Sequence, residues 1–128
     1  MDNDLIQNKD LILYYSGQEE CQSGHLYSGI RNHHLIHYIL EGKGIVKLKG
    51  KTYHLHKNHG FLCPANIKIY YCADKENPWT YYWIGFSGIN SNNYLQSINL
   101  TPEEPIFYNK NNQNKKILKC MENIHKSD

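Results

Sequence analysis

The stretch ENPWTYYWIGFSG, residues 76–88, sets two Trp and two Tyr within five residues of an otherwise polar chain. Strand alternation would put Trp79, Tyr81 and Trp83 on one face and Tyr82, Ile84 and Phe86 on the other. Aromatics in a strand fill a core or offer a stacking platform to a ring-shaped guest. The rest of the chain decides between these.

Upstream, HLIHYIL (residues 34–40) alternates in the same way. Leu35, His37 and Ile39 share one face, and Ile36, Tyr38 and Leu40 the other. Both faces are largely apolar, so this strand is expected to be central. EGKG (41–44) reads as a turn. IVKLKGKTYHLH (45–56) reads as a hairpin with Lys49, Gly50 and Lys51 at its tip. Val46 and Leu48 share a face on one arm, Tyr53 and Leu55 on the other. FLCP (61–64) is a short buried strand, and IKIYYCA (67–73) sets Ile67, Ile69 and Tyr71 on one side. Before all of these, LILYY (11–15) reads as a strand and SGQEECQSG (16–24) as a loop broken by Gly17 and Gly24. Short strands recurring about every ten residues between Gly, Pro and Asn predict an antiparallel sandwich or barrel.

Past Gly88 the period changes. Tyr94, Leu95 and Ile98 have helical spacing, TPEEP (101–105) interrupts it, and NKKILKCMENIHK (114–126) carries Ile117, Leu118, Met121 and Ile124 on one helical stripe.

At 128 residues the chain is the size of one domain with one core. Its formal net charge is only +2 and its Lys residues are scattered, so no basic face for nucleic acid is expected. No apolar run has the length of a membrane span. The first ten residues lack the charged and apolar regions of a signal peptide, which predicts a cytoplasmic protein. Cys21, Cys63, Cys72 and Cys120 form no C-x-x-C pair and are expected to be reduced thiols.

HYILEGKGIVKLKGKTYHLHKNHGFLCPANIKIYY (37–71), followed by NPWTYYWIGFSG (77–88), resembles the sensor domain of AraC-type transcription regulators. GQEECQSGH (17–25) is similar to the family's first segment. The resemblance implies a mainly β fold, a cupin-like antiparallel β-barrel (jelly roll) followed by C-terminal helices. It divides the chain into an N-terminal arm and first strand (1–15), an effector-binding barrel (16–88) and a helical dimerisation and linker segment (89–128). It implies a small polar effector, a saccharide, and no catalysis. It implies a homodimer whose interface includes Ile117, Leu118, Met121 and Ile124, and an arm that closes over the barrel mouth. DNA would be reached only through a DNA-binding domain of two helix-turn-helix units, expected beyond residue 128 and absent from this chain.

The same barrel serves metal-dependent enzymes, the alternative reading. Their chemistry needs three or four N or O ligands converging from neighbouring strands. The corresponding positions here fall at Gly29, Arg31, Leu35 and Ile69, so no metal or other cofactor is expected. His54, His56 and His59 are expected at the surface around a hairpin.

A sugar site needs an aromatic platform for the C–H face and fixed polar groups for the hydroxyls. In the resemblance Trp83 matches the residue that stacks on the sugar ring and Tyr71 one that hydrogen-bonds it. Ile69 replaces a His that lines the pocket of the arabinose-responsive member. Arg31, with its planar fork, His37 on the inward face and His25 near the barrel mouth complete the expected ligand-binding set.

Overall fold

The computed structural model describes residues 12–88 and 90–109. Within them the chain forms β1 (Ile12–Glu20), β2 (Leu26–Gly29), β3 (His34–Glu41), β4 (Lys43–Leu48), β5 (Lys51–His56), β6 (His59–Cys63), β7 (Ile69–Ala73), β8 (Thr80–Ser87), the short helix α1 (Ser91–Ser97) and β9 (Ile106–Tyr108). Two sheets result, one of five strands in the order β1-β8-β3-β6-β9 and one of four in the order β2-β7-β4-β5. Every strand pairing is antiparallel. Chain neighbours repeatedly fall in opposite sheets, the jelly-roll arrangement the sequence led us to expect.

The alternation in β3 and β8 explains the layering. Leu35, Ile39, Trp79 and Tyr81 join Val46, Leu48, Leu55, Phe61, Ile69 and Tyr71 in one core between the sheets. Ile36, Ile84 and Phe86 point the other way and pack with Leu62, Leu95, Ile98, Leu100 and Phe107. A strand with two apolar faces must be covered on both, and β3 is: it is the middle strand of five, with α1 and the chain after it over its outer face. The β4–β5 hairpin closes on Lys49 and Gly50, at φ of 50° and 80°. Both left-handed, they form the tight turn whose twist matches flanking strands, and Leu48 pairs with Lys51 directly across it.

Three elements differ from the sequence reading, one of them β2, since Leu26–Gly29 was not read as a strand. β1 does not stop at Tyr15 but continues to Glu20, through a stretch read as loop. Gly17 does not break it; it lies directly opposite Trp83 in the β1–β8 ladder. Beyond Gly88, where helices were expected, α1 is followed by β9, which pairs with β6 and returns the chain to the five-stranded sheet. Leu62 N–H donates to Pro105 O at 2.8 Å and so starts that pairing. The stripe of Ile117, Leu118, Met121 and Ile124, together with Cys120 and residues 1–11, lies outside the described residues.

Candidate ligand-binding cavity

Residues of both sheets line a cavity of about 280 Å³. β8 contributes Tyr81 and Trp83, β3 contributes Leu35 and His37, and β7 contributes Tyr71. The β1–β2 turn and its flanks add Glu19, His25, Leu26 and Tyr27, and Arg31 enters from the β2–β3 connection. The five residues expected to bind ligand (Trp83, Tyr71, Arg31, His37 and His25) thus line one cavity. Glu19 and Tyr27 line it too, and the sequence had not singled them out.

Each wall residue is held by identifiable contacts. Trp83 lies against β1 because Gly17 has no side chain; an added Cβ would sit 2.7 Å from the indole Cζ2. Tyr81 meets the Trp83 ring edge-on, with centroids 5.9 Å apart. Arg31 makes no surface ion pair with Glu19 or Glu20. Its Nη2 donates to Tyr71 Oη at 2.9 Å, and its guanidinium lies 3.7 Å over the Tyr27 ring. Gly29 makes room for that ring, since a Cβ there would meet Tyr27 Oη at 2.8 Å. The fork is therefore fixed on one side by a phenol and on one face by an aromatic ring.

His37 forms the floor. It is 2% exposed, stacked on Phe61 at 4.5 Å and met edge-on by Tyr71 and Tyr81. Burial, and then the nearby Arg31 charge, pull its imidazole down to about 3, so it is neutral. Its Nδ1 faces Cys63 Sγ at 3.6 Å, and burial pushes that thiol up to about 12. Burial likewise raises the Tyr71 and Tyr81 phenols, which stay protonated donors. His25 and Glu19 are exposed at the lip, beside Leu26, which is 52% exposed.

Polar satisfaction is incomplete at this wall. Arg31 Nη1 and Trp83 Nε1, like Trp79 Nε1 inside the core, are buried and have no hydrogen-bond partner among the described residues. A buried donor left unmatched costs about 1–3 kcal/mol. An oxygen-rich guest offers the acceptors such donors need. Two other clefts lack this character. One, of about 380 Å³, lies among β4, β5 and β7, near His54 and Lys75. The other, of about 370 Å³, lies beside α1, where His34 Nδ1 already accepts from Ala65 N–H at 3.0 Å.

The positions where a cupin-type metal set would fall carry no such set. Gly29 offers no side chain, Leu35 and Ile69 are buried in the apolar core, and Arg31 is a cation. His54 and His56 are exposed, and His59 Nδ1 accepts the His56 backbone N–H at 2.9 Å. No helix among the described residues is long and apolar enough to cross a membrane.

The AraC-like ligand binding domain family matches residues 13–127. The chain is 41% identical over 96 residues to the Msm operon regulatory protein of Streptococcus mutans serotype c, covering 74% of this chain and 34% of that protein. It is 38% identical over 79 residues to the raffinose operon transcriptional regulatory protein RafR of Pediococcus pentosaceus, covering 59% and 28%. It therefore spans about a third or less of the length of these curated relatives, both named as regulators. Among solved structures, the cupin domain of Schizosaccharomyces pombe Cnp3 superposes with a TM-score of 0.52 at 16% identity, covering 72% of this chain and 73% of that one. At that identity the likeness speaks to the fold, which is the cupin barrel.

Proposed function

The chain belongs to the AraC-like ligand binding domain family, and from that premise we propose that it is the non-catalytic effector sensor of a bacterial transcription regulator, taking a saccharide ring into the cavity beside Trp83. The observation that carries the reading is the pairing of aromatic walls with unmatched donors. Trp83, Tyr81 and Tyr27 supply ring faces and edges, while Arg31 Nη1 and Trp83 Nε1 lack acceptors among the described residues. A sugar has faint apolar faces and acceptor oxygens on its rim, and it matches both halves. The raffinose operon named for one relative supports a saccharide.

In this reading Trp83 stacks on the ring, and Arg31, steadied by Tyr71, reads hydroxyls. His25 works at the lip. His37, 2% exposed, acts by fixing the two phenols that pack on it. A cavity of about 280 Å³ is at the small end for ligand sites, so it encloses one ring. The remainder of an oligosaccharide would leave past Leu26. The partners that complete the function are a second copy of the chain and, through a further domain, DNA in the cytoplasm.

A thermal-shift screen with monosaccharides and with galactose-containing oligosaccharides tests this. We expect a saccharide, raffinose among the candidates, to raise the melting temperature, because binding to the folded state stabilises it. Trp83→Ala and Arg31→Ala should each weaken that ligand at least about tenfold, or roughly 1.4 kcal/mol. A panel without effect on a folded protein that binds some other class of compound would overturn the saccharide.

A further inference from the structure

At the lip of the cavity three residues bring metal-ligating atoms together. A Glu19 carboxylate oxygen, Cys21 Sγ and a His25 ring nitrogen all lie within 4.8 Å of one another. They are different residues from those at the positions where cupin-type ligands would fall.

The local fold explains the convergence. Glu19 and Cys21 are two residues apart at the end of β1 and project to the same side. Glu19 lies opposite Tyr81, and Cys21 N–H donates to Trp79 O at 3.1 Å. The chain then turns back: His25 N–H donates to Gln22 O at 3.0 Å, and Gly24 takes a φ of 69°. The turn is anchored on β7 and the loop after it. His25 O accepts from Ala73 N–H at 2.8 Å, and Ser23 Oγ donates to Lys75 O at 2.7 Å. The three donors are thus presented by a pinned turn. Cys21 is 4% exposed, and its thiol lies close to the Tyr81 side chain. Glu19 and His25 are exposed, leaving the outer side open.

We propose that Glu19, Cys21 and His25 form a three-ligand site for a zinc-class divalent cation at the lip of the effector cavity. The donor set decides the class. A sulfur and an imidazole favour zinc and its neighbours over magnesium or calcium, which take oxygen ligands. Bond lengths of about 2.0–2.3 Å require ligand atoms roughly 3.5 Å apart in a tetrahedron. Closing from within 4.8 Å to that spacing asks the two exposed side chains to move by about an ångström. Tyr81, whose side chain lies close to the sulfur, is placed to orient it. Three protein ligands leave one position free, and because Glu19 and His25 also line the cavity, that position borders the guest. The proposal stands independently of the saccharide reading.

Cobalt(II) titration of the full chain tests it, because thiolate-bound cobalt shows a near-ultraviolet charge-transfer band that zinc displaces. We expect a stoichiometric band that zinc abolishes and that survives replacement of Cys63, Cys72 and Cys120 by Ser. Cys21→Ser should remove the band. His25→Gln should weaken cobalt binding at least about tenfold, the loss seen even for outer-shell partners. Absence of the band in the unmodified chain, or its persistence in Cys21→Ser, overturns the site. Should Cys21→Ser fail to fold, His25→Gln decides, and unchanged affinity there overturns it equally.

Discussion

At Gly17 the backbone of one strand makes space for the ring of another, since any side chain there would collide with Trp83. Gly17→Ala should therefore displace the indole, cost about 1–3 kcal/mol in urea unfolding and weaken saccharide binding. An unchanged affinity would place the guest elsewhere. His37 makes a second prediction at this scale. Its pKa falls from 6.5 to about 3 on folding, so the folded chain keeps it neutral while the unfolded chain takes up a proton below 6.5. Its contribution is fully present above pH 6.5 and is lost as pH falls toward 3. The urea midpoint should drop between pH 7 and 5, and His37→Leu should flatten that slope. His34 and His59, also shifted down by burial, will leave some slope behind. An identical slope in the variant would contradict the buried neutral imidazole. The alternation of residues 79–86 was enough to group Trp79, Tyr81 and Trp83 on one side, but not to tell which side faces inward. Gly17 was not legible as a spacer, because its contact is with a residue sixty-six positions away (83 − 17).

Among the elements, β3 and β8 announced themselves by period, while β2, β9 and the second half of β1 did not. The second half of β1, SGQEE, is polar and contains a glycine, so locally it resembles a loop. It is a strand because it pairs with β8 at the edge of its sheet, where polar side chains face water. β9 has three residues, too few for alternation to register, and it exists because β6 offers it an edge. Phe107 secures that pairing: its ring lies over Gly60, where no side chain could fit. Phe107→Ala should cost about 3–5 kcal/mol by urea unfolding, the usual loss for a buried aromatic. A change below about 1 kcal/mol would mean that β9 contributes little to the outer core.

At the scale of the whole molecule, two apolar faces on the five-stranded sheet produce three layers among the described residues: the four-stranded sheet, the five-stranded sheet, and α1 with its flanks. The floor of the cavity is the packed His37 on Phe61, and its lip is the turn between β1 and β2, held to β7 through His25 O and Ala73 N–H. The proposed pairing of two copies is a claim at this scale. The stripe of Ile117, Leu118, Met121 and Ile124 has helical spacing and needs cover. Leu118→Asp should convert a dimer to a monomer in sedimentation velocity, and a dimer that survives it would remove the stripe from the interface. The most direct test of the account concerns the cavity itself. Nuclear Overhauser contacts should be measured between a bound saccharide such as raffinose and the protein's indole protons. Contacts from Trp83 to the C–H face of one sugar ring are expected. Contacts confined to the clefts at His54 or His34, with Trp83 silent, would contradict that placement.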